Sequence, residues 1–110
     1  MSRQKGDVAE NSARVFLQEQ NFEIVETNFY AKKLGEIDIV AKKDGVLYFC
    51  EVKSAESYET AVSNLTNSKL QKIKRSVNYY LQTKKVDCAF CISAIIVTPN
   101  CIEILENITI

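Results

Sequence analysis

The chain has 110 residues, enough for one domain with a single modest core, and residues 1–110 read as that domain. Apolar residues make up 46% and charged residues 25%, with 14 cationic against 14 acidic side chains, which excludes a disordered chain and leaves no run long enough to span a membrane. There is no histidine, so histidine general bases, serine triads of the usual kind and histidine-ligated zinc are removed.

The first residues, Met1 to Asp7, hold no apolar segment of the kind found in secretory signals, and a cytoplasmic protein is expected. Over residues 4–20, Ala9, Ala13, Phe16 and Leu17 fall at helical spacing, which predicts an amphipathic helix that stops at Asn21. Glu10 lies along its buried stripe, where an acid is costly without a partner. Residues 22–30 alternate imperfectly and read as a first strand. Residues 31–34 form a short connection whose Lys32 and Lys33 read either as phosphate contacts or as a solvated turn. Residues 35–53 read as two strands joined by Asp44-Gly45, a strong hairpin signal because both residues tolerate positive φ.

Residues 54–66 are polar, lack clear periodicity and are long for a loop, so a mobile segment that orders on substrate is expected there. A second helix is predicted over 68–83, capped by Asn67 or Ser68, with Leu70, Ile73, Val77 and Leu81 as its apolar stripe. Residues 88–97 are almost continuously apolar, like a strand buried on both faces. After Pro99-Asn100, residues 101–105 read as an edge strand and the remainder as a tail. Cys88 and Cys91 have CxxC spacing, but on a strand they point apart. With Cys50 and Cys101 they read as buried free thiols. The order α-β-β-β-α-β, with a final strand, predicts an α/β fold in which helices flank a central mixed sheet. The fourth strand arrives through a helical crossover and should pair in parallel.

Register turns the hairpin into a site. With Asp44-Gly45 as the turn, Asp38 falls directly opposite Glu51, and Glu36 opposite Lys53. Alternation puts these four on one face and Ile37, Ile39, Cys50 and Val52 on the other. Like charges directly opposite are destabilising, so the acid pair needs a reason. A hard divalent cation supplies one: Mg²⁺ takes one or two carboxylates plus water and substrate phosphate. Lys53 would then stand beside the phosphate or the attacking water, and Glu36 is either a further ligand or the partner that positions Lys53. Between residues 60 and 86 lie Lys69, Lys72, Lys74, Arg75, Lys84 and Lys85 with no acid, and the rest of the chain is net acidic. A basic patch beside an acidic strand pair suits a phosphodiester substrate. Lys69 and Lys72 share one flank of the second helix.

Asp38 followed by Glu51-Val52-Lys53 resembles the PD-(D/E)XK nuclease motif, with Ile37 where the proline would stand. The wider pattern is closer still. Gly6 to Ala13, Asn28, Gly35-Glu36-Ile37-Asp38, Glu51-Val52-Lys53 and Lys69 resemble the YraN-like family of small bacterial endonucleases, over about residues 5–98. That family is similar in fold to archaeal Holliday junction resolvases. Ala9 replaces the second glycine of the family's G-x-x-G-E-x-x-A.

The resemblance implies a restriction-endonuclease-like core and a metal approached by Glu10 from the first helix. It also implies a phosphate-binding or supporting role for Lys69. The expected activity is Mg²⁺- or Mn²⁺-dependent cleavage of nucleic acid, DNA in particular, with Asp38, Glu51 and Glu10 at the metal and Lys53 at the phosphate. Resolvase similarity adds branched DNA and a two-fold dimer. The rival expectations are a DNA-binding module without turnover and an interaction protein that keeps the fold.

Overall fold

The computed structural model describes residues 2–108, with side chains from Val8 to Ile108. Gly6 and Asp7, quoted for the resemblance, lie in a helix, but their side chains fall outside the described ones. Helix α1 spans Ser2–Glu19 and buries Ala9, Ala13 and Leu17. It ends in a Schellman turn. Phe22 N–H donates to the Leu17 carbonyl at 2.9 Å, Asn21 N–H donates to that of Gln18 at 3.1 Å, and Asn21 takes a left-handed φ of 71°. Asn21 is the stop that the spacing predicts.

Strand β1 covers Glu23–Tyr30 and is followed by one 3₁₀ turn at Lys32–Leu34. Strands β2, Glu36–Lys43, and β3, Val46–Ser54, form the hairpin. Asp44 and Gly45 both adopt positive φ, 53° and 79°, as a two-residue hairpin turn requires. The pairing runs from Lys43↔Val46 to Ile39↔Cys50, in the register the sequence predicts. Helix α2, Tyr58–Ser63, and helix α3, Asn67–Thr83, then carry the chain across to β4, Phe90–Thr98. Strand β5, Cys101–Leu105, closes the sheet. The strand order is β1-β2-β3-β4-β5, with β3–β4 parallel and the other neighbours antiparallel. This is the mixed α/β sheet expected.

Two apolar layers sandwich the sheet. On one face Ala13 and Leu17 of α1 pack with Phe22, Ile39, Ala41, Cys50 and Ile95. On the other, Ile73, Val77 and Tyr80 of α3 pack with Ile37, Val40, Phe49 and Ile92. Phe49 is fully buried there, and removing such a side chain from water contributes about 2–3 kcal/mol. Tyr80 meets both Phe29 and Phe49 edge-on, with ring centroids 4.8 and 5.2 Å apart.

Several expectations are corrected. Residues 58–63 of the expected loop are helical, because the Ser57 hydroxyl accepts from Thr60 N–H and Ala61 is buried against Ala94 and Ile96. Thr66, rather than Asn67 or Ser68, caps α3 by accepting from Lys69 N–H at 3.3 Å. Cys50 alone of the four thiols is buried; Cys88 and Cys101 are exposed and Cys91 is half-buried. Cys88 precedes β4, so the CxxC pair does not share a strand. The tail is tied down as far as Ile108, whose N–H donates to the Ile92 carbonyl at 2.8 Å. Ile37 packs on the α3 face, away from Ile39 and Cys50, for a reason that lies in the site.

Candidate active site

The β2–β3 ladder ends at Ile39↔Cys50. Beyond that point β2 keeps β1 as its partner, through Phe29↔Ile37 and Tyr30↔Glu36, while β3 keeps β4, through Glu51↔Ala94 to Ser54↔Val97. The two central strands therefore part into a fork. The expected ladder partners Asp38–Glu51 and Glu36–Lys53 do not form as such. Instead the Asp38 carboxylate enters the fork, where its Oδ2 accepts from Val52 N–H at 2.8 Å. A side chain thus takes a backbone donor that a longer hairpin would have given to a β2 carbonyl.

Asp38 is 9% exposed, one of the few buried polar residues. Burial pushes its carboxyl up to about 8, and the nearby charge of Glu51 adds to this; the Val52 hydrogen bond acts against them, and Glu10 raises the value further. Glu51 lies within hydrogen-bonding reach of Asp38 and 3.3 Å from Lys53 Nζ, with both of that pair's side chains about four-fifths buried. The structure therefore brings Asp38, Glu51 and Lys53 together. Glu36 lies at the exposed start of β2.

A cavity of about 240 Å³ opens from Asp38 toward α1, lined by Glu10, Asn11, Arg14, Thr27, Asn28, Asp38 and Ile39. Two consecutive residues from each strand line it, so alternation is broken in both. The break sits at Asn28, whose φ is 52° and whose strand position, opposite Asp38, is skipped by the ladder. This twist sends Asp38 and Ile39 to the α1 side and leaves Ile37 on the α3 side. Glu10 reaches the cavity from α1, and its Oε1 accepts from Asn28 Nδ2 at 2.9 Å.

The candidate nucleic-acid contacts stand elsewhere. Lys32 and Lys33 are exposed on the 3₁₀ turn, which packs against α3, and Lys69 and Lys72 are exposed on α3 itself. These elements lie across the sheet from the cavity. Among the described residues, the cation that lines the cavity is Arg14, which donates to Asn11 Oδ1. Sequence reasoning passed over it, although a residue four positions after Glu10 shares its helix face.

The donors at the fork are hard carboxylate oxygens, buried without a full set of counter-charges, which suits a divalent cation such as Mg²⁺ or Mn²⁺. Among the described residues no three acidic or thiol groups come close enough together to hold a metal ion on their own. An ion held by Asp38 and Glu51 would complete its shell with water and phosphate, the usual arrangement for Mg²⁺ at phosphoryl groups. No described helix is long and apolar enough to cross a membrane.

Residues 9–97 match the family described as Uncharacterised protein family UPF0102. The chain is 57% identical to the UPF0102 protein of Aliarcobacter butzleri over 109 residues, which cover 99% of each chain. It is 50% identical to that of Sulfurimonas denitrificans over the full length of both. With the protein of Helicobacter hepaticus the identity is 49% over 99% of this chain and 97% of the other.

Proposed function

This chain belongs to the UPF0102 family, the YraN-like proteins, and we propose that it hydrolyses nucleic-acid phosphodiesters, DNA above all, with a divalent metal ion at the fork. The observation that carries this reading is the buried Asp38 held between two parting strands beside Glu51 and Lys53. Two acids held against each other in the interior cost stability and are more often kept for chemistry than for folding.

The geometry supports a division of labour. Asp38 is fixed by the Val52 N–H through one oxygen, which leaves the other for a ligand. Glu51 faces it from the other strand and also steadies Lys53. Glu10 adds negative charge from the α1 wall. Asp38 and Glu51 would hold a Mg²⁺ or Mn²⁺ ion, which would supply an activated water at neutral pH and offset the charge that builds on the phosphate. Lys53 orients the attacking water or meets the phosphate oxygens as they gain charge. Arg14, on the cavity wall, is placed to take a neighbouring phosphate. Val52 packs with the α1-side core and keeps this part of β3 in position.

The test is cleavage of labelled linear, flap and four-way-junction DNA with Mg²⁺ or Mn²⁺, alongside Asp38→Ala and Lys53→Ala. Cutting that requires metal and is lost in both variants is the expected result. Binding to these DNAs without cutting would replace the enzyme with a binding module. Neither binding nor cutting would overturn the reading.

A further inference from the structure

Asn28 joins two features of the cavity that otherwise look separate. Its backbone is left-handed in the middle of a strand, at φ 52°, which is uncommon for any residue but glycine and which Asn tolerates better than most. Its side-chain amide donates to Glu10 Oε1 at 2.9 Å, across the gap between β1 and α1. The first feature directs residue 28 into the cavity; the second makes use of where it arrives.

Glu10 needs such a partner. It is half-buried on α1, lines the same cavity as Asp38 and shares its sign of charge. Left alone, a flexible glutamate beside another acid rotates toward water. Among the described residues no lysine or arginine pairs with Glu10, and the donor to its carboxylate is the Asn28 amide. That bond occupies Oε1 and leaves Oε2 for a ligand.

We propose that Asn28 is a positioning residue, which holds the Glu10 carboxylate on the cavity wall that Asp38 also lines, facing a divalent ion bound at Asp38. The inference rests on the nuclease reading and deepens it, by assigning the support of Glu10 to a strand residue rather than to its own helix. Groups that hydrogen-bond a metal ligand typically change metal affinity by about 10–100-fold when removed. Asn28 acts through an exposed-side bond, so the low end, about tenfold, is expected.

The test is calorimetric binding of Mn²⁺ to the full chain, wild type against Asn28→Gly and Asn28→Asp, each also combined with Glu10→Gln. Both replacements accept the left-handed backbone, so unfolding midpoints should stay close to wild type. Asn28→Gly removes the donor, and Asn28→Asp sets a like charge against Glu10. Each should weaken Mn²⁺ binding about tenfold. Neither should weaken it further once Glu10→Gln is present, because the effect passes through that carboxylate. If wild type binds Mn²⁺ and Asn28→Gly binds it equally, or loses as much affinity in the Glu10→Gln background, the positioning role is overturned while the nuclease reading stands. If wild type binds no Mn²⁺, both are overturned.

Discussion

Replacing Asp38 with Asn separates the charge of this acid from its shape. The amide keeps an oxygen for the Val52 N–H, now 2.8 Å from Asp38 Oδ2, and it fits the same space in the fork. What changes is the proton. The ordinary carboxyl value is 3.8, and in the folded, metal-free chain it rises to about 8. Between those values the folded chain keeps a proton that the unfolded chain has released. The stability of wild type therefore falls as pH rises through this window, by about 1.4 kcal/mol per pH unit.

At pH 7 that cost reaches roughly 4 kcal/mol, a large share of the ~5–15 kcal/mol that holds most domains together. Asp38→Asn carries no titrating group at the position and should escape the cost. Urea unfolding in chelator, followed by circular dichroism, should show equal stabilities near pH 4. A gap in favour of the variant should then widen to roughly 4 kcal/mol at pH 7. Millimolar Mg²⁺ should close the gap by stabilising wild type alone, while the variant cuts no DNA. Parallel stability curves from pH 5 to 8, or a less stable variant at pH 7, would refute the reasoning.

Gly35→Ala should destabilise the fold by about 1–3 kcal/mol in the same unfolding assay, because φ 139° with ψ −159° is a glycine conformation and the new Cβ would lie 3.1 Å from Ser76 Oγ. Thr66→Ala should cost about 1 kcal/mol by freeing Lys69 N–H at the start of α3, and Thr66→Ser should restore it. Lys69→Ala with Lys72→Ala should weaken DNA binding equally across sequences and lower the salt slope by about one for each phosphate no longer neutralised. A salt titration of fluorescence anisotropy reads this directly, and an unchanged slope would remove α3 from the DNA-facing surface. Arg14→Ala should weaken binding of cleavable DNA at constant metal affinity; a loss of Mn²⁺ binding instead would make Arg14 part of the acid cluster's support.

The hairpin was legible because its signals are local. Asp44-Gly45 sets both turn dihedrals, and β-branched and aromatic neighbours set the strands on either side. Register followed from the turn, and held as far as Ile39↔Cys50. The fork was not legible, because it depends on which third strand each half of the hairpin prefers. β1 draws away one strand and β4 the other, and no pattern within residues 35–53 records either choice. The broken alternation was hidden for a related reason: one left-handed residue, Asn28, re-aims its own strand and the neighbouring one. Helix α2 was missed because six residues with one buried position, Ala61, are too short to show a period. The grouping of Asp38, Glu51 and Lys53 was legible from their types and spacing, whereas the place of Arg14 on the cavity wall was not, because the basic residues concentrate at 60–86, on and around α3.

The parallel pairing of β3 with β4 also bears on how the chain reaches this structure. β1, β2 and β3 are joined by short connections and can pair soon after collapse. β4 can pair only after the segment from Ser54 to Phe90 has closed, with both α2 and α3 inside the loop. Closing that loop carries an entropic cost that hairpins avoid, and non-local pairings of this sort slow folding. The half of β3 beyond Cys50 has β4 as its ladder partner. Glu51 and Lys53 therefore acquire a firm backbone only at this late, long-range step. A nascent chain halted before Phe90 would carry a formed hairpin with an unsupported far end, so the grouping of Asp38, Glu51 and Lys53 waits for β4 to be made.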